Sequence, residues 1–149
     1  MMDKSQIVHL LAQMASDASG PESLMAETVS LLQRERPHYN WVGVYLLEGN
    51  ELVLGPYVGK PTPHMRIPLD KGICGAAASS GRTLIVDDVN ADPRYLACSL
   101  ETRSEIVVPI IRDARVLGEI DIDSDQPAAF AEDDRTLLEA VAEILAAKL

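Results

Sequence analysis

Asn40-Trp41-Val42-Gly43-Val44-Tyr45-Leu46-Leu47 is the stretch on which the fold turns. Side chains along a strand alternate between its two faces. Trp41, Gly43, Tyr45 and Leu47 therefore share one face, and Val42, Val44 and Leu46 share the other. Glu48-Gly49-Asn50 reads as a turn, and Glu51 to Tyr57 as a returning strand. Two such runs joined by a short turn form a hairpin, so the sheet begins antiparallel.

The pattern on the N-terminal side has a different period. Ile7, Leu10, Leu11 and Met14 fall at helical spacing, which predicts a helix over Asp3 to Ala18 with Asp3 as its cap. Gly20-Pro21 restarts the chain, since proline suits a first helical position. Leu24, Thr28, Leu31 and Leu32 stripe the second helix, and Pro37 ends it.

On the C-terminal side, a loop with Pro61 and Pro63 leads to a short extended piece, Arg66-Ile67-Pro68. Gly72 to Ser80 reads as a helix of small residues stopped by Gly81, and Thr83 to Val86 as a strand. Asp87 to Arg103 is a long irregular segment, with a helical turn expected near Pro93; connections of this length are usually functional. Ser104 to Ile111 and Arg115 to Asp123 form a second hairpin around Asp113-Ala114. Glu132 to Leu149 is the last helix, acidic in its first turn and apolar along Leu137, Leu138, Val141, Ile144 and Leu145. The expected class is α+β: a mainly antiparallel sheet of five to six strands, with N- and C-terminal helices on one face and a pocket under loops on the other. Residues 1–149 are read as one domain, with helices over 1–37, a pocket-forming core over 40–130 and a closing helix over 132–149.

Composition narrows the partners. A net charge of -10 repels phosphate backbones, so nucleic acid is not expected. No apolar run is long enough to cross a bilayer. The opening residues lack the basic-then-apolar order of a signal peptide, so a cytoplasmic protein is expected. Three histidines lie far apart and show no metal-ligand spacing, so no metal is expected. Two cysteines, Cys74 and Cys98, are too few for a disulfide scaffold. They are either inert core residues or a redox pair.

Four features carry candidate chemistry. Glu119, Asp121 and Asp123 alternate along the last strand and share a face. That face is either solvated, or enclosed so that repulsion and desolvation raise a carboxyl pKa and make a general acid. Trp41 and Tyr45 flank Gly43, which reads as a gap open to a ligand between two rings, or as plain core. Cys74 lies near a helix start, a position that favours the thiolate. Cys98 lies in the long segment, and Glu105 begins the strand after it.

Taken in order, Asn40–Leu47, Leu52-Val53-Leu54-Gly55-Pro56, Arg66-Ile67-Pro68, Lys71-Gly72-Ile73-Cys74-Gly75, Ser104-Glu105-Ile106-Val107-Val108-Pro109 and Gly118-Glu119-Ile120-Asp121-Ile122-Asp123-Ser124 resemble the free methionine-R-sulfoxide reductases, enzymes of the GAF fold. The resemblance implies a GAF-like homodimer that reduces the free R-sulfoxide and holds no bound cofactor. It implies Cys98 as nucleophile, Glu105, Asp121 and Asp123 around the substrate, and Trp41 and Tyr45 as an aromatic wall. Asp123 is also a candidate proton donor. A sulfenic acid would form on Cys98, a second thiol would close a disulfide, and a thioredoxin-like dithiol would reduce it. The chain departs from the family at one point: His64 stands where a resolving cysteine is usual, in a loop one residue longer. Resolution then falls to Cys74 or to an external thiol. The competing expectation is a non-catalytic GAF module that binds a small ligand or mediates dimerisation. The chain lacks the Asn-Lys-x-Phe-Asp-Glu series of cyclic-nucleotide GAF domains.

Overall fold

The computed structural model describes residues 1–97 and 99–149. Helices α1 (Lys4–Asp17) and α2 (Pro21–Glu35) lead into strands β1 (Trp41–Glu48), β2 (Glu51–Val58) and β3 (Arg66–Pro68). Helix α3 (Gly72–Ser80), strand β4 (Leu84–Val86) and a 3-10 turn (Val89–Ala91) follow. Strands β5 (Ser104–Arg112) and β6 (Arg115–Ser124) and helix α4 (Glu132–Ala146) complete the order. Boundaries agree with the pattern reading to within a few residues. The helical turn expected near Pro93 lies earlier, at Val89–Ala91, where the Asp88 carboxylate accepts the Asn90 N–H.

Local chemistry explains the helix starts. The Asp3 carboxylate accepts the Gln6 N–H at 2.8 Å while the Gln6 side chain accepts the Asp3 N–H at 2.9 Å. This reciprocal box satisfies two amides that a helix start leaves without partners. Pro21 occupies the first turn of α2, where its missing N–H costs nothing.

The six strands form one sheet in the order β3-β2-β1-β6-β5-β4, with every described pair antiparallel. β6 is thus held between β1 and β5, and its register fixes two faces. On one, Val42, Ile122 and Ile106 form a cross-strand row, as do Val44, Ile120 and Val108. These rows pack under α1, α2 and α4 with Leu11, Leu32, Leu138 and Val141. The opposite face carries Trp41, Tyr45, Val107 and the residues of α3. Gly118 is required where β6 crosses β1, since a Cβ there would lie 2.2 Å from the Tyr45 carbonyl oxygen. Among the described residues, no helix is long and apolar enough to cross a membrane.

Candidate active site

Register brings together residues far apart in sequence. Trp41, Asp123 and Glu105 stand side by side across β1, β6 and β5. Gly43, Asp121 and Val107 form the next row, and Tyr45, Glu119 and Pro109 the one after. Period two puts all three β6 acids on this face, opposite the isoleucines of the helix-side core.

The acidic face is enclosed rather than solvated. Glu119 is 0% exposed, Asp123 3%, Glu105 5% and Asp121 6%. The enclosing parts are α3, the loop between β2 and β3, and the segment between the 3-10 turn and β5. They leave a small cavity whose wall includes Trp41, Tyr45, His64, Cys74, Glu105, Asp121 and Asp123. Of the candidate residues described in the structure, Trp41, Tyr45, Cys74, Glu105, Asp121 and Asp123 thus reach one space, and Glu119 does not. Cys98, the expected nucleophile, lies outside the described residues.

The aromatic wall departs from expectation in one respect. Gly43 does not leave a gap for a ligand; the Trp41 ring itself lies over it, and a Cβ at position 43 would fall 2.3 Å from the indole. The glycine makes room for a neighbouring side chain. Trp41 also stacks on Tyr57, with centroids 5.5 Å apart, and lies 6.4 Å from Tyr45. Its indole N–H donates to the Lys60 carbonyl at 3.0 Å, and the Tyr45 hydroxyl donates to the His64 carbonyl at 2.8 Å. The two rings are therefore anchored through their polar ends to the loop between β2 and β3.

His64, which stands where a resolving cysteine is usual, is half-buried and lines the cavity. Its Nε2 lies 3.0 Å from the Ala97 carbonyl oxygen. A carbonyl only accepts, so this contact requires the hydrogen on Nε2. Tyr95 and Leu96 also line the cavity. No sequence motif singled them out, but the length of the 87–103 segment did mark this region as functional.

The electrostatics reverse another expectation. Cys74 is the third residue of α3, but burial pushes its thiol well above the ordinary range, and Asp121, Glu119 and Glu105 push it further. The helix start is outweighed by three carboxyls brought in from strands, so Cys74 is a thiol and not a thiolate at neutral pH. Burial also raises Glu119 well above the ordinary carboxyl range. Asp121 is raised by burial as well, and contacts with Glu105 and Cys74 offset part of the rise. The Cys74 thiol touches Glu119, but the contact falls short of a well-formed hydrogen bond, so both Glu119 oxygens stay unsatisfied among the described residues.

Cys74, Glu105 and Asp121 offer donor atoms within 4.8 Å of one another. The arrangement suits a small molecule with a cationic group at one end and an apolar group at the other. Carboxylates attract the first and the rings pack against the second. A buried carboxyl that keeps its proton also offers an acid beside the ligand.

Comparison with known proteins agrees with this geometry. A GAF domain model matches residues 20–149. The free methionine-R-sulfoxide reductase of Saccharomyces cerevisiae is 46% identical over 110 residues, which span 71% of this chain and 61% of the yeast protein. The Escherichia coli protein of the same name is 37% identical over 134 residues, 89% of this chain and 80% of its own. The crystal structure of a free methionine-R-sulfoxide reductase from Neisseria meningitidis in complex with its substrate superimposes with a TM-score of 0.93 at 36% identity, covering 97% of this chain and 87% of that one.

Proposed function

This chain belongs to the GAF domain family, and from that premise we propose that it reduces free methionine-R-sulfoxide to methionine. The observation that carries this reading is the enclosure of Glu105, Asp121 and Asp123 in one cavity with Trp41 and Tyr45. A free amino acid brings an ammonium for the carboxylates and a methyl end for the rings. A peptide-bound methionine sulfoxide has lost that ammonium, so burying acids against it would leave them without a counter-charge. The relatives named for this activity support the same reading.

In this proposal the Cys98 thiolate attacks the sulfoxide sulfur. A sulfur–sulfur bond forms while the oxygen takes a proton from a neighbouring carboxyl, with Asp123 the candidate donor. The oxygen then passes to the Cys98 sulfur as its bond to the substrate sulfur and the sulfur–sulfur bond both break, which releases methionine. The oxygen ends on Cys98 as a sulfenic acid, so the cysteine is oxidised as the sulfoxide is reduced to a thioether. A second thiol condenses with the sulfenic acid, water leaves, and a disulfide remains. A thioredoxin-like dithiol then reduces it. Cys74 is held protonated and buried, which makes it a slow partner. We assign the resolving step to an external thiol.

The test is turnover with R and S epimers of methionine sulfoxide, free and peptide-bound, with a dithiol as reductant. Only the free R epimer should consume reductant, and Cys98→Ser should stop it. If wild type and Cys98→Ser oxidise the reductant at the same slow rate, the enzyme reading fails. Binding without turnover would favour a ligand-binding GAF module instead.

A further inference from the structure

The loop between β2 and β3 meets the segment that carries Cys98 at two points. The His64 Nε2–H donates to the Ala97 carbonyl at 3.0 Å, and the Lys60 ammonium donates to the Glu101 carboxylate at 2.5 Å. The first contact falls one residue before Cys98 in sequence and the second three residues after it.

The same two loop residues are held from β1 by their carbonyls. The Trp41 indole N–H donates to the Lys60 carbonyl, and the Tyr45 hydroxyl donates to the His64 carbonyl. Trp41 and Tyr45 stand four residues apart, as do Lys60 and His64, and as do Ala97 and Glu101. Two braces therefore start on β1, each running through a ring, a loop carbonyl and a loop side chain. They end on residues that bracket Cys98 in sequence.

The braces are unequal. The Lys60 and Glu101 side chains are 70% and 58% exposed, and an ion pair in that much water contributes little. His64 is half-buried and lines the cavity, and its backbone N–H donates to the Thr62 hydroxyl at 3.1 Å. With its carbonyl held by Tyr45 and its amide by Thr62, the residue has a fixed base from which its ring reaches Ala97. A peptide bond sets consecutive Cα atoms about 3.8 Å apart, so anchoring Ala97 restricts where the next residue can lie.

We propose that His64 is a positioning residue: its ring hydrogen-bonds the Ala97 carbonyl and so holds the backbone that leads into Cys98 against the cavity. The inference rests on reading Cys98 as the nucleophile of a sulfoxide reductase. A resolving cysteine at position 64 would serve only after the nucleophile is oxidised. A histidine there serves earlier, while Cys98 attacks.

The test is a single turnover of the reduced enzyme on free methionine-R-sulfoxide with no reductant present, because the methionine formed then reports the Cys98 step alone. His64→Leu should form methionine about tenfold more slowly, since attack tolerates little misplacement. His64→Gln carries an N–H donor where Nε2 lies and should recover most of the rate. Affinity, read from the fluorescence of Trp41 in a Cys98→Ser background, should change less than about twofold in either variant. His64→Ala replaces the leucine variant if leucine lowers the melting temperature. An unchanged rate in His64→Leu overturns the proposal, as does an equal loss in His64→Gln, which would assign the effect to the ring and not to its hydrogen bond. A loss of affinity as large as the loss of rate also overturns it, because His64 would then be a binding residue. Amide hydrogen exchange separates this inference from the reading beneath it. If wild type forms no methionine, the reductase reading fails. Exchange in the peptide spanning residues 92–103 should still be faster in His64→Leu than in wild type or His64→Gln, and equal exchange in all three ends the inference independently.

Discussion

The indole of Trp41 lies over Gly43 so closely that a Cβ at position 43 would fall 2.3 Å from the ring. The backbone there is ordinary extended strand, so the constraint is steric. Gly43→Ala should push the ring out of the cavity wall. Overpacking of this kind typically costs about 1–3 kcal/mol, so the melting temperature should fall and methionine-R-sulfoxide affinity with it. Because Trp41 is the sole tryptophan, its emission should change as well. Unchanged stability and emission would mean that the ring does not cover the glycine.

Alternation alone made the faces of β1 and β6 legible, and with them the shared side of Glu119, Asp121 and Asp123. It could not give depth. Three acids two residues apart read alike, but β1 and β5 flank them in different rows, so Asp123 and Asp121 reach the cavity and Glu119 does not. Register was equally hidden, since no local signal says that Trp41, Asp123 and Glu105 stand abreast. Cys74 shows the same limit: the helix start is a local feature, while the acids that keep the thiol protonated arrive from β5 and β6. The role of Cys98 rests on sequence resemblance.

A thiol that is both buried and held protonated should resist alkylation. In a Cys98→Ser background, Cys74 should react with iodoacetamide at neutral pH at less than about a tenth the rate of a free cysteine. Denaturant should restore the ordinary rate, because burial and the neighbouring acids are its causes. Mass spectrometry over time distinguishes the cases. Rapid labelling of the folded protein would place Cys74 in the open and return it to candidacy as the resolving thiol.

Stability should carry the signature of the buried acids. Glu119 and Asp121 are raised in the folded state above ordinary values of 4.5 and 3.8. A carboxyl with a raised folded pKa binds its proton more tightly when folded. Its contribution is fully present below the unfolded value and is lost as pH climbs toward the folded one. Glu119→Leu removes one such loss. Its stability relative to wild type should therefore improve as pH climbs from the ordinary value of 4.5 toward the raised folded one, by up to roughly 1.4 kcal/mol per pH unit for one proton. Denaturant midpoints across that range provide the measurement, and the difference curve cancels groups common to both proteins. A flat difference would show that Glu119 ionises alike in the folded and unfolded chain.

Asp123 is the acid best placed to act on a ligand, because β1 sets Trp41 on one side of it and β5 sets Glu105 on the other. It is 3% exposed, but it lines the cavity. Asp123→Asn keeps the shape and removes both the charge and the proton that a carboxyl can give. Losing an acid catalyst typically costs about 100-fold or more in rate, so kcat/KM for the free R-sulfoxide should fall by at least that much. Stability should move the other way, if at all. Two carboxyls abreast in a dry row repel each other, and neutralising one relieves the strain on Glu105. Loss of activity with an unchanged or higher melting temperature is therefore the expected pair of results. A lower melting temperature with intact kcat/KM would make Asp123 a structural residue, and the proton would then have to come from Glu105 or Asp121.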